Sequence, residues 1–204
     1  MMCVLMPLSC TKLTEKLSFP LGLNAIWHSP QGCTIPDPYL KNWLLDTGSL
    51  TERLQSHCRD FRVQLIGQRP LAAEHEEFLH MAIPPQQQSS TDWQVREVIL
   101  WGENRPWVFA RSIIPDALCC ADLASLGNRP LGKVIFNDPR FVRLPFQVGK
   151  WLQPDSLLQA LGIQPVAELW GRRSVFHFEQ TKMMVAEIFL PDAPAYRQGS
   201  KAQC

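Results

Sequence analysis

Trp93-Gln94-Val95-Arg96-Glu97-Val98-Ile99-Leu100-Trp101 and Trp107-Val108-Phe109-Ala110-Arg111-Ser112-Ile113-Ile114 are two apolar-rich runs joined by Gly102-Glu103-Asn104-Arg105-Pro106. Their β-branched and aromatic content and the short polar connection predict a β-hairpin. Alternate residues of a strand share a face. Arg96 therefore lies with Val98 and Leu100, and the other face carries Val95, Glu97, Ile99 and Trp101. A guanidinium on an apolar stripe is costly unless something neutralises it. It is either half of a structural ion pair or a fork that awaits a planar carboxylate ligand.

A second hairpin is predicted from Glu168 to Phe178 and Met183 to Leu190, around Glu179-Gln180-Thr181-Lys182, with Pro191 and Pro194 stopping it. In its last strand Glu187 shares a face with Met183, Val185 and Phe189. A carboxylate there is the partner of a buried arginine or a site group with a perturbed pKa. Both readings join if Arg96 and Glu187 hold opposite ends of one small ligand inside apolar walls. Pro130-Leu131-Gly132 opens a short helix whose first amides are unsatisfied donors, although an ordinary loop explains the segment as well.

Working outward, Asp37-Pro38 reads as an N-cap followed by proline at the first helical position, with Leu40, Trp43 and Leu44 at helical spacing. Ser49-Leu50-Thr51-Glu52 reads as a capping box that starts a second short helix. A strand from Phe61 to Leu65, a helix from Ala73 to Met81 and a Pro/Gln/Ser loop at 84–90 follow. Helices are predicted at Asp116 to Leu126 and Gln153 to Leu161, with extended chain from Arg140 to Val148. Nothing alternates as strand–helix–strand. The order predicts a single α+β domain with a mainly antiparallel sheet. Residues 1–34 read as a poorly ordered lead-in, 35–196 as the domain and 197–204 as a tail.

With 204 residues, the chain can bury about 70% of its unfolded surface without a metal or disulfide. Its 20 basic and 19 acidic side chains leave a net charge of +1, so no field remains to hold nucleic acid or an anionic membrane. The seven cysteines include no C-x-x-C pair, which argues for free thiols in a reducing compartment. The opening MMCVLMPLSC lacks the basic start and cleavage site of an export signal, and no apolar run is long enough to span a bilayer. A cytoplasmic monomer is expected. The five histidines show no metal-binding spacing, and no phosphate loop or nucleophile elbow is present, so no metal or cofactor is expected.

Five stretches, in order, resemble the chorismate pyruvate-lyase family of ubiquinone biosynthesis. Trp93-Gln94-Val95-Arg96-Glu97-Val98-Ile99-Leu100 is similar to its W-x-x-R-E-x-x-L segment, and Pro106-Trp107-Val108-Phe109-Ala110-Arg111-Ser112 to P-W-x-x-x-R-[ST]. Pro130-Leu131-Gly132 is similar to P-L-G, Trp170-Gly171-Arg172-Arg173-Ser174 to W-G-R-R-S, and Glu187-Ile188-Phe189-Leu190-Pro191 to E-x-F-L-P. The resemblance covers roughly residues 35–196. Leu50 stands where the family tends to have Met, the lead-in has no counterpart, and residues 147–166 look like an insertion. The resemblance implies an antiparallel sheet with helices on one face and helix-turn-helix flaps closing over a buried site. It also implies cofactor-free conversion of chorismate to 4-hydroxybenzoate and pyruvate. Catalytic roles would fall to Arg96 and Glu187. Arg96 would grip the ring carboxylate with main-chain help near Leu50 and Leu131, and Glu187 would bond the ring hydroxyl. Arg111 would be a second cation for the enolpyruvyl carboxylate. The competing class is a small-carboxylate effector-sensing module of related fold, against which the chain's lack of a basic stripe counts.

Overall fold

The computed structural model describes residues 17–124 and 129–196. Eight antiparallel strands form one sheet. They are β1 (Ala25–His28), β2 (Phe61–Pro70), β3 (Trp93–Gly102), β4 (Arg105–Pro115), β5 (Phe141–Arg143), β6 (Gln147–Leu152), β7 (Glu168–Phe178) and β8 (Thr181–Phe189). Their order is β1-β6-β7-β8-β4-β3-β2, and β5 pairs with the end of β7 that β6 leaves open. The α-helices among the described residues are α1 (Pro38–Leu44), α2 (Leu50–Gln55), α3 (His75–Met81), α4 (Asp116–Cys120), α5 (Leu131–Ile135) and α6 (Asp155–Leu161).

Local chemistry sets the helix ends. The Asp37 carboxylate accepts from the amides of Tyr39 and Leu40, and Ser49 Oγ accepts from the Glu52 amide. Arg53 on α2 donates to Asp46 at 2.7 Å and lies 3.8 Å from the Trp43 ring, which fastens α1 to α2 as a helical hairpin. Helix α4 stops at Cys120, well short of the Leu126 expected from sequence, and residues 125–128 lie outside the described segments.

Both faces of the central strands are apolar, so both need cover. Leu40, Trp43 and Leu44 of α1 and Leu50 and Leu54 of α2 pack on Val98, Leu100, Val108 and Phe189. Helices α4 and α5 extend that layer over Phe176 and Phe178. On the opposite face, α6 covers Ile99, Phe109 and Ile188, and α3 covers Val95, Ile113 and Met184. Helices therefore occupy both faces, not one. The segment read as an insertion supplies α6 and strand β6, which pairs with β1.

The lead-in is also corrected from Leu17 onward. Leu17 is buried beside α6, and the amides of Leu21 and Gly22 donate to the Glu97 carboxylate at 2.7 and 3.1 Å. Strand β1 then closes the sheet edge. Residues 1–16 and 197–204 lie outside the described segments.

One irregularity fixes which side chains meet. The β3–β4 turn uses Glu103 and Asn104 at φ 49° and 61°, the two left-handed residues of a tight hairpin. Trp101 pairs with Pro106, but Leu100 pairs with Val108, so Trp107 is an extra residue on β4. Its ring lies over Gly102, where a Cβ would come within 2.2 Å of it. Beyond the bulge every β4 side chain is moved to the face opposite the one an unbroken hairpin would give it.

Candidate active site

Strand β4 lies between the two residues singled out on apolar stripes. Arg96 on β3 opposes Ser112, and Glu187 on β8 opposes Ala110. Ser112 and Ala110 share a face, so Arg96 and Glu187 do too. Two strand spacings and a two-residue offset put their Cα atoms roughly 12 Å apart. Arg96 is 2% exposed. Its guanidinium donates to Gln68 Oε1 at 2.8 Å and to the Arg129 carbonyl at 3.5 Å, and no carboxylate among the described residues pairs with it. Burial pulls its pKa below the ordinary arginine value.

Glu187 opens onto a cavity of about 20 Å³ that is also lined by Leu50, Leu131, Gly132, Arg143, Arg172 and Ser174. That is room for about one water, so a larger ligand must part the walls. Two of the walls are short helices. Leu50 begins α2 and Leu131 begins α5. The two helices touch where Gly132 meets Thr51, since a Cβ on Gly132 would stand 2.8 Å from the Thr51 hydroxyl oxygen. Arg96 does not line this cavity, but it reaches the chain entering α5 through the Arg129 carbonyl.

Two further arginines line the cavity. Arg172 donates to Glu187 Oε2 at 2.8 Å and to the Asp46 carbonyl at 2.6 Å at the end of α1. Arg143 donates through Nε and Nη2 to Ser174 Oγ at 2.9 and 2.7 Å, and through Nη1 to the Thr47 carbonyl at 3.2 Å. Burial, followed by repulsion from Arg172, pulls the Arg143 guanidinium down to about 10. Sequence reasoning assigned neither residue a role. Trp170, Arg172 and Ser174 alternate along β7, so parity alone points Arg172 and Ser174 to one face. Arg143 sits in a three-residue strand, too short for periodicity to show.

Arg111 is the residue that the structure removes from the group. The bulge sets it opposite Glu97 and beside Ala186, on the far face of the sheet from Arg96 and Glu187. There it is 2% exposed and neutralised, donating to Glu77 at 2.8 and 3.1 Å and to Glu97 at 2.7 Å. It cannot reach a ligand that lies between Arg96 and Glu187. Leu50 and Leu131, by contrast, both face the cavity with Glu187.

A chorismate lyase family model matches residues 21–201. The chain belongs to the chorismate lyase family. The family match begins at residue 21, so it includes β1 and the part of the lead-in that Glu97 anchors. A probable chorismate pyruvate-lyase from Pseudoalteromonas atlantica is 54% identical over 184 residues, covering 90% of this chain and 95% of that protein. One from Shewanella amazonensis is 38% identical over 190 residues, covering 90% and 96%. Among solved structures, the effector domain of PhnF from Mycobacterium smegmatis aligns with a TM-score of 0.51 at 11% identity, covering 72% of this chain and 91% of that one. A GntR-family transcriptional regulator from Bacillus cereus aligns with a TM-score of 0.51 at 13% identity, covering 67% and 96%. These last two likenesses concern the fold alone. This member of the lyase family and those regulators share an antiparallel sheet with helices packed on it.

Proposed function

We propose that the protein is a cofactor-independent chorismate pyruvate-lyase, a cytoplasmic monomer that forms 4-hydroxybenzoate and pyruvate for ubiquinone biosynthesis. The observation that carries this reading is Arg96. It is a fully buried guanidinium without an acidic partner among the described residues, and it faces the same side of the sheet as Glu187. A charge held that way lowers stability unless a ligand anion completes it. Chorismate presents a ring carboxylate to Arg96 and, across the ring, a hydroxyl to Glu187. Glu187 Oε2 is taken by Arg172, and Oε1 remains for that hydroxyl.

The reaction breaks two bonds. The ether bond between ring carbon and enolpyruvyl oxygen is lost, and so is the C–H bond at the hydroxyl-bearing carbon. The hydrogen ends on the enolpyruvyl methylene, which becomes the methyl group of pyruvate, and the ring becomes aromatic. The protein's part is to hold the dianion, exclude water and align the departing group with that hydrogen. Gly132 and Thr51 bring α2 and α5 together over the cavity, which excludes water and delays release of the aromatic product.

The purified chain incubated with chorismate should yield 4-hydroxybenzoate and pyruvate in equal amounts. Absence of both, beside a working lyase, would overturn the proposal. Ligand binding without turnover would instead support an effector-sensing module, the reading that the shared fold of the regulators favours.

A further inference from the structure

If the lyase reading holds, the substrate brings two carboxylates, and Arg96 accounts for one. The second belongs to the enolpyruvyl group, whose ether oxygen is attached to the carbon next to the hydroxyl-bearing carbon. That carboxylate must therefore lie on the Glu187 side of the cavity. Three further arginines of the described sheet bear comparison for it: Arg111 and Arg172, which are buried, and Arg143, which is half-buried. Arg111 is on the other face and neutralised by Glu77 and Glu97. Arg172 is neutralised by Glu187 and tied to the Asp46 carbonyl.

Arg143 differs from both. It lines the same cavity as Glu187, Leu50 and Leu131. Its donors rest on neutral oxygens, the Ser174 hydroxyl and the Thr47 carbonyl, and no carboxylate among the described residues pairs with it. The rings of Phe136, Phe146 and Phe176 lie 4.8 to 5.8 Å from its guanidinium carbon and shield part of its planar head. Two of its donors share one hydroxyl oxygen, a poor match for a fork that suits the two oxygens of a carboxylate. Among the described residues Arg96 and Arg143 each lack a direct carboxylate partner on this face, one cation for each carboxylate of the substrate.

We propose that Arg143 receives the enolpyruvyl carboxylate and is the residue that distinguishes substrate from aromatic product. Ser174 and Thr47 hold its head in place until the substrate arrives. The product 4-hydroxybenzoate has lost that carboxylate, so it binds through Arg96 and Glu187 alone.

The test compares two ligands on the full-length chain. In Arg143→Gln, kcat/KM for chorismate should fall about 100-fold, the loss of one charge-assisted forked contact. The inhibition constant of 4-hydroxybenzoate should stay within about threefold of the wild type, and Arg143→Lys should restore part of the chorismate loss. A purely structural role would weaken both ligands together, because Arg143 also ties down the α1–α2 connection at Thr47. Parallel weakening overturns the proposal, and so does an unchanged kcat/KM for chorismate. If Arg143→Gln does not fold, Arg143→Lys is read by the same two constants. If the wild type forms no pyruvate, the lyase reading fails first and visibly. Calorimetric Kd values for chorismate and 4-hydroxybenzoate then give the same ratio, and a wild type that binds no chorismate overturns both.

Discussion

Arg96 and Arg111 are equally buried, yet they should respond in opposite ways to the same substitution. Arg96→Met removes a guanidinium that has no acidic partner among the described residues. The loss includes one good hydrogen bond, to Gln68 Oε1 at 2.8 Å, worth about 1 kcal/mol. The gain is relief of an unpaired buried charge, an effective penalty of several kcal/mol. The net effect on the ligand-free protein is a gain of about 0 to 3 kcal/mol, or up to roughly 10 °C in Tm for a chain of this size. Arg111→Met instead strands Glu77 and Glu97 without their cation, and Glu97 is 0% exposed. Breaking such a network costs about 3–5 kcal/mol, a fall of roughly 6 to 20 °C. Thermal denaturation of both variants, with and without 4-hydroxybenzoate, makes the comparison. Arg96→Met should melt at or above the wild type and bind 4-hydroxybenzoate about 10²–10³-fold more weakly, the equivalent of two charge-assisted hydrogen bonds. Arg96→Met melting well below the wild type, with ligand affinity changed less than tenfold, would falsify the argument. Arg96 would then be a structural cation.

Glu187→Gln keeps an acceptor for the substrate hydroxyl and stays within reach of Arg172, so steady-state assays should show turnover within about 100-fold of the wild type. A drop beyond about 10⁴-fold would make Glu187 the obligatory proton acceptor. Gly132→Ala places a methyl group 2.8 Å from the Thr51 hydroxyl oxygen and should push α2 from α5. Stopped-flow measurement should find faster 4-hydroxybenzoate release, and an unchanged off-rate would separate those helices from gating. Burial, with help from Arg173, lowers the His80 pKa from 6.5 to about 4, and its Nε2 is buried with no hydrogen-bond partner among the described residues. The unfolded chain takes up a proton near pH 6.5 that the folded chain refuses until about pH 4. Stability should therefore fall as pH drops through that window, and fully return above it. Melting curves between pH 7 and 5 should show this slope flattened in His80→Gln.

Much of the fold was legible because its local signals are strong. The Asp37 and Ser49 caps and both hairpins lie where residue type and spacing put them. The site was legible in part. Parity along single strands identified Arg96 and Glu187 as out of place on apolar stripes, and the structure sets them on one face. Parity between strands was not readable. Arg111 depends on the bulge at Trp107, which no residue type announces. Helices on the second face were missed because strands apolar on both sides show no alternation to reveal it. Arg143 was missed because its strand has three residues. The lead-in looked unstructured because β1 has only four residues and gains its order from β6 and from Glu97, contacts far away in sequence.

The extra residue at Trp107 turns the sheet into a partition between two electrostatic compartments. With an unbroken turn, Arg111 would stand across from Arg96, two guanidiniums about 5 Å apart at their Cα atoms on one dry side. The slip sends one of them through the wall. The compartment under α1, α2 and α5 keeps Arg96, a cation with no direct carboxylate partner among the described residues. The compartment under α3 sets Arg111 between Glu77 and Glu97, so its cation already has carboxylate partners. A point substitution at either arginine edits a single charge. Deleting Trp107 would exchange the faces of the β4 side chains beyond it. In this molecule chain length at one corner, more than the identity of any side chain, decides which arginine shares a face with Glu187.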